Sequence, residues 1–338
     1  MLRPSIAKAA DRLASQGQFG SGLHSGSTES AHLVLQNFFG AAALRGECAV
    51  GVFLDVATAF PSMARRLVIP TVANDEMWLR IVRAAGFTDW ETQEIYNEAV
   101  DIVKWGAAGA SRHTVAMVAA LHDHSWTFSE GLAELLLTGR GTLAGTAVAD
   151  VVFAVAVGSV HKRLHRELAR EGLSAHLCLR KAHEIAPSML EAAPAVFTMI
   201  DISYADDAVL PVLCEARQVE QKVRKTVEVA VECYLAFGMV LKFARNKSAA
   251  LVQWAGAGAV AEQRRLMVSG SGVLSCMPRR GEPVSVELVL QYRHLGTQTT
   301  IGGNIAPEIA NKAAMLKHEA HTIKKDCYET PLWTPRGR

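Results

Sequence analysis

The run CAVGVFLD, Cys48 to Asp55, holds seven uncharged residues and ends on a carboxylate. It is short, continuous, rich in Val and Phe, and bounded by Gly46 and Asp55. Such a run reads as a buried strand over 48–54. A chain that contains one must supply a sheet around it and a layer to cover it. Asp55 then stands where the strand leaves the core.

A second stretch raises the same issue more sharply. In ISYADDAVLPVL, Ile202 to Leu213, two adjacent carboxylates, Asp206 and Asp207, separate two apolar runs that read as strand, tight turn, strand. Like charges beside a core are costly unless a cation sits nearby. If this hairpin neighbours the 48–54 strand, three carboxylates converge at one sheet edge. Oxygen donors of that kind suit a hard divalent cation, most naturally Mg²⁺. Two such ions can clamp the attacking and leaving oxygens of a phosphoryl transfer. The plainer alternative is that Asp55 caps a following helix and Asp206-Asp207 form a polar turn.

With 338 residues, half hydrophobic and a fifth charged, the chain is long enough for one large or two modest folded domains. A net charge of +2 neither demands nor excludes a nucleic-acid partner. The six cysteines (Cys48, Cys178, Cys214, Cys233, Cys276, Cys327) form no CxxC pair. That fits neither a zinc ribbon nor a disulfide framework, and favours a reducing compartment. The apolar stretch near 148–160 is too short to span a bilayer, and the N-terminus has no apolar leader core. The expectation is an intracellular protein, nuclear or cytoplasmic, neither secreted nor membrane-bound.

Around these strands the sequence predicts a helix after Ser27 or Thr28 and a short helix near Pro61. Helices are expected through most of 71–138, including GLAELLL, and a long apolar one follows the Gly-rich segment at 139–146. Further expectations are a helix over 215–237, strands in MVLKFARNKSAALVQW and VSVELVLQYRHLG, and a last helix from Pro307. Helices and hairpins mix without a regular βαβ rhythm, which indicates an α+β fold. His161 and His165, four apart among Lys162, Arg163, Arg166 and Arg170, read as a basic helix face that contacts phosphates or solvent rather than zinc. His122-Asp123-His124 and the HEAH at 318–321 lack metal-site spacing.

The order of these segments resembles the reverse transcriptases of non-LTR retrotransposons and group II introns. FLDVATAFPSM is similar to their motif A, GRGTLAGTAVADVVF to motif B, YADD to motif C, GMVLKFARNKSAAL to motif D and YRHLG to motif E. Upstream, QFGSGLHSGSTESAH resembles the segment that precedes motif A, so the likeness runs from about Gln18 to about Ile323. In motif B the family's Arg-Gln-Gly-x-x-x-Ser-Pro stands as Leu143 to Asp150, which keeps the glycine as Gly145 but lacks the Gln, Ser and Pro.

The resemblance implies a right-hand polymerase palm, an antiparallel sheet backed by helices. Residues 1–45 would be a partial fingers segment, 46–300 the palm and 301–338 the start of a thumb. Asp55, Asp206 and Asp207 would be catalytic and would hold two Mg²⁺, with Mn²⁺ as a substitute. Phe60, five residues after Asp55, would exclude a 2′-hydroxyl, unless it is a plain core residue. Gly145 would let backbone approach the nucleotide. Lys247 would face the leaving pyrophosphate, or else be a solvated hairpin lysine. His294, Leu295 and Gly296 would grip the primer end. The partners implied are an RNA template, a DNA primer and deoxynucleoside triphosphates. The implied activity is RNA-directed DNA polymerisation; the alternative is an inactive polymerase-like remnant that at most binds nucleic acid. An unrelated Mg²⁺ phosphohydrolase would use the same carboxylates but leaves motifs B, D and E unexplained.

Overall fold

The computed structural model describes residues 2–24, 26–65, 68–69, 83, 88–100, 102–122, 126–127, 136–137, 141–142, 146, 148–178, 196–199, 201–301, 306, 309–310 and 312–317. At its centre is the predicted strand, β2 (Cys48–Leu54), buried at every position. Period-2 alternation sends its residues to two different cores. Cys48, Val50, Val52 and Leu54 join one, while Ala49 and Phe53 join the other. Gly51 keeps the second face close: a Cβ there would meet Val209 Cγ1 at 3.2 Å and the Phe39 ring at 3.3 Å.

Seven strands form the main sheet: β1 (Gln18–Phe19), β2, β7 (Ile202–Tyr204), β8 (Asp207–Cys214), β9 (Ala249–Gln253), β10 (Val273–Cys276) and β11 (Val284–Val289). Their spatial order is β1-β7-β8-β2-β9-β11-β10. Three two-stranded ribbons accompany it: β3 (Trp126–Thr127) with β4 (Leu136–Leu137), β5 (Ala175–Cys178) with β6 (Val196–Met199), and β12 (Gln291–His294) with β13 (Thr297–Thr300).

The fold is α+β, as expected, but the sheet is mixed. The central run β7-β8-β2-β9 is antiparallel, whereas β1 lies parallel to β7 and β11 parallel to β9. The expectation of a purely antiparallel sheet took 284–296 as one hairpin strand. A bend at the half-exposed Leu290 divides it, so β11 joins the main sheet and β12 turns back on β13. The VFTMIDIS stretch is divided likewise, with β6 in a ribbon and β7 in the sheet. Within GLAELLL, Leu136 and Leu137 form β4 rather than helix; short apolar runs carry no period that separates the two.

Helices cover both faces. On one, α2 (Thr28–Arg45) lays Ala31, Leu35, Phe38, Phe39 and Ala42 on β2 and β7. It starts after Ser27 and ends at Gly46 in the left-handed region. On the other face, α7 (Ala149–Arg170) and α8 (Val219–Ala236) pack together, and α1 (Leu2–Leu13) lies on α7 through Ile6, Ala9 and Ala10. The shorter helices are α3 (Ala59–Ser62), α4 (Asp89–Glu98), α5 (Ile102–Ala107), α6 (Arg112–His122) and α9 (Ala259–Gln263). Residues 309–310 and 312–317 are helical. Of the helix expected near 76–86 only Arg83 is described. Asp123, His124, Gly145, the 179–195 stretch, Pro307 and the HEAH at 318–321 lie outside the described residues.

One buried ion cluster fastens α7 to the sheet. Asp201, fully buried, precedes β7. Its Oδ2 lies 2.7 Å from His161 Nδ1 and its Oδ1 lies 2.6 Å from His165 Nε2. The hydroxyls of Ser15 and Ser203 donate to it at 2.8 and 3.0 Å. His161 Nε2 meets the Tyr234 hydroxyl of α8 at 2.9 Å. His161 and His165 therefore do not form the expected basic face. The apolar side of α7 extends as far as Leu168, and the Asp201 carboxylate stands against the imidazoles that lie along it.

Burial works against the charged form of Asp201, but the two imidazoles and their hydrogen bonds outweigh it and hold the carboxyl well below its ordinary 3.8. A depressed carboxylate stabilises the fold fully above its unfolded-state value and ceases to do so as pH falls toward the folded one. Urea denaturation of Asp201→Ala should show a loss of about 3–5 kcal/mol at pH 7, typical of breaking a buried pair. Asp201→Asn should flatten the fall in wild-type stability below about pH 4.

Candidate active site at the end of the central strand

Sheet register and one side-chain contact assemble a row of charges. Leu54 pairs with Ala208 on β8, and one further step sets Asp55 across from Asp207. On the other side the ladder ends at Phe53 and Ala249 of β9, and Lys247, in the bend two residues before β9, reaches Asp55 through its side chain. Asp207, Asp55 and Lys247 thus gather at the end where β2 leaves the core. Asp206 belongs to the two-residue turn between Tyr204 and Asp207. Ala205 holds the other turn position at φ +55°, a conformation that glycine normally occupies and that here costs about a kilocalorie or more per mole.

The Asp55 end is tied by its backbone. Its N–H donates to Ser248 Oγ at 3.0 Å, and its carbonyl accepts from Lys242 N at 2.8 Å. The ammonium of Lys247 stands 3.1 Å from Asp55 Oδ1. Lys247 is in turn positioned by Tyr292, whose hydroxyl donates to its carbonyl at 2.7 Å. The Tyr292 ring stacks on Phe53 of β2, with centroids 4.1 Å apart. Burial and the charges of Asp207 and Asp55 push the Tyr292 phenol upward, so it remains a neutral donor.

Asp207 carries the electrostatic signature of the cluster. Burial, then the charges of Asp206 and Asp55, raise its carboxyl to about 6, with Lys247 acting in the opposite sense. Three carboxylates against one ammonium leave an excess of negative charge in a half-buried place, which a divalent cation would offset. The donor set is all oxygen and fits such an ion. Among the described residues no group of three His, Cys, Asp or Glu side chains is arranged to hold a metal ion as it stands. Lys247 holds one oxygen of Asp55, and a cation would have to displace it.

The other expected positions fall into two groups. Phe60 in α3 is half-buried, 4.6 Å from the Phe153 ring of α7. The start of the Gly-rich segment lies directly against it: Thr142 N donates to Phe60 O at 2.9 Å, and Gly141 N to Met63 O at 2.8 Å. Only glycine fits at 141, where φ is +74° and a Cβ would lie 2.5 Å from Phe60 O and Pro61 Cα. The buried Arg65 clamps the same segment through Gly141 O at 2.7 Å. Gly145 lies outside the described residues.

His294 and its turn point elsewhere. The His294 ring is buried against Phe53 and His32, at centroid distances of 5.1 and 5.3 Å, and among the described residues its two nitrogens have no hydrogen-bond partner. Burial, with His32 adding to it, pushes that imidazole down to about 3. Leu295 and Gly296 make the β12–β13 turn with φ of +50° and +78°, and Leu295 packs under α2.

Tyr292 and Ser248 lie within the segments that resemble motifs E and D, but the resemblance gave them no role at the site. Asp201 carried one available signal, a carboxylate between apolar residues immediately before a strand. Among the described residues no helix is long and apolar enough to cross a membrane.

An acid whose folded pKa is raised costs stability once it ionises, so the fold should weaken as pH rises through about 6. Carboxyl ¹³C NMR should show an Asp207 midpoint near 6 without divalent ions. Asp207→Asn should stabilise the metal-free protein at pH 8 by about 1–2 kcal/mol, and by little below about pH 4, in thermal unfolding.

No family model matches this chain, and no curated protein matches it significantly either.

Proposed function

We propose that this chain is the palm region of an RNA-directed DNA polymerase and that it extends a primer by metal-assisted nucleotidyl transfer. The observation that carries the reading is the row Asp207–Asp55–Lys247, with Asp206 in the adjoining turn. Its members come from segments that follow one another along the chain as motifs A, C and D do in reverse transcriptases. A strand buried on both faces and an antiparallel acidic hairpin beside it are the elements that such a palm requires.

On this reading Asp55, Asp206 and Asp207 hold the divalent cations. Bound there, Mg²⁺ supplies charge neutralisation for the transferring phosphoryl group and acidifies the primer 3′-hydroxyl. The protein's own contribution is alignment and electrostatics. Asp207, ionised above about pH 6 but repelled by its neighbours, is poised to take up a cation. Lys247, released from Asp55, offers its ammonium to the departing pyrophosphate. Phe60 and the Gly141 segment form one wall, where a ring beneath the sugar would favour deoxynucleotides.

A second reading is a palm that binds nucleic acid without polymerising. The Lys247–Asp55 contact favours it, since that lysine already neutralises one carboxylate of the cluster. So do the replacements over Leu143 to Asp150. Primer extension on poly(rA)/oligo(dT) with Mg²⁺ separates the two. The polymerase reading expects dTTP incorporation that falls at least 10³-fold in Asp206→Asn and about 10-fold in Lys247→Ala, on the scale of losing charge stabilisation at a transition state. Incorporation no greater than that of Asp206→Asn supports the non-catalytic reading.

A further inference from the structure

Away from the acidic edge, a groove of about 400 Å³ runs between α4, α7, α8 and the 277–281 turn. Four cations line it: Arg163 and Arg170 of α7, Lys225 of α8 and Arg279. Three of them have carboxylate partners. Arg170 meets Glu167 at 2.7 Å, while Lys225 and Arg279 meet Glu171 at 3.8 and 3.6 Å. Arg163 is 93% buried, and among the described residues neither its Nε nor its Nη1 has a hydrogen-bond partner. Its neighbour on α8 is the thiol of Cys233, a weak acceptor.

A guanidinium does not shed its proton, so a desolvated arginine with idle N–H groups is a standing cost. The carboxylates around it offer no relief. Glu91 receives Thr88 N at 3.0 Å and also pairs with Arg280. Glu167 and Glu171 hold the cations just named. Glu228 and Glu232 accept from the backbone N–H groups of Met277 and Arg279, at 2.9 and 2.6 Å. Five carboxylates and four cations line the groove, and the acids are engaged elsewhere. What Arg163 lacks is an acceptor for its Nε and Nη1.

Trp90 supplies the outer wall. It is exposed, and the guanidinium of Arg170 lies 5.4 Å from its ring centroid. A flat group entering here finds an aromatic edge and an arginine plane beside the arginine that needs an acceptor. The volume suits a small molecule rather than a polymer.

We propose that this groove is a binding site for a small planar ligand carrying an oxyanion, either carboxylate or phosphate, with Arg163 as its anion contact and Trp90 as its stacking wall. The site is separate from the acidic sheet edge and does not depend on the polymerase reading.

Three probes distinguish the sources of the oxyanion: benzoate, adenosine monophosphate and inorganic phosphate. Each would be titrated into the full chain by calorimetry, with the Trp90 indole N–H followed by ¹H–¹⁵N NMR in the same samples. Saturable binding of benzoate or adenosine monophosphate is expected, with the Trp90 resonance shifting, and binding of inorganic phosphate at least 10-fold weaker. Preference for benzoate identifies a carboxylate ligand, and preference for the nucleotide a phosphate. Arg163→Gln should weaken the better probe at least 10-fold, and Asp206→Asn, in the other site, should leave it unchanged. Should Arg163→Gln fail to fold, Trp90→Ala at the exposed wall decides: the ring-bearing probes should weaken at least 5-fold while phosphate stays as it was. Absence of saturable binding by any probe overturns the proposal. So does binding that neither Arg163→Gln nor Trp90→Ala alters.

Discussion

The pairing of β2 with β8 on one side and β9 on the other is the constraint from which the rest of the structure follows. A one-residue slip would exchange the faces of β2, and Phe53 would enter the core now filled by Val50 and Val52. The two cores differ in depth and partners, so the register is strongly specified. The same register sets Asp55 across from Asp207 and brings the bend that carries Lys247 beside them. The charged row at the strand ends is therefore a by-product of hydrophobic packing several residues away. No side-chain interaction has to pay for bringing the three groups together.

That division of labour explains how the site tolerates its own repulsion. Asp207 is raised to about 6, and the Ala205 turn is held in a left-handed conformation. Both are costs, carried by a strand with seven buried positions and by helices on each side. The Asp201 cluster adds a second fastening. It joins the residue before β7 to α7 and, through His161, to Tyr234 of α8, so the hairpin that presents Asp206 is tied to the helical layer behind it. The acidic turn is thus held by sheet pairing in front and by a buried ion cluster behind.

Much of this was legible in the sequence because the signals were local. The run from Cys48 to Leu54 carried no polar residue, so a buried strand was the only economical reading, and its bounds match. Ser27 and Gly46 mark the ends of α2 by cap chemistry, and Leu295-Gly296 makes the expected tight turn. What escaped were features that depend on partners distant in the chain. The parallel pairing of β9 with β11 has no local signature. His161 looked like part of a basic face because its neighbours Lys162 and Arg166 are charged, and its acceptor Asp201 lies forty residues away. Arg163 resembled the same face, yet it is buried, and among the described residues its Nε and Nη1 find no acceptor. For the site, the three aspartates were legible as a set only on the supposition that two strands were neighbours. The pairing of Lys247 with Asp55 followed from a register that no single segment contains.

The central claim is that Asp55, Asp206 and Asp207 act together as one divalent-cation site. Mn²⁺ binding followed by electron paramagnetic resonance, with Mg²⁺ as competitor, tests it directly. The account predicts saturable Mn²⁺ binding that Mg²⁺ displaces, that weakens at least 10-fold in Asp55→Asn and in Asp206→Asn, and that strengthens as pH rises through about 6 with the ionisation of Asp207. Mn²⁺ binding that is equal in wild type and in both variants, or absent at pH 8, would contradict it.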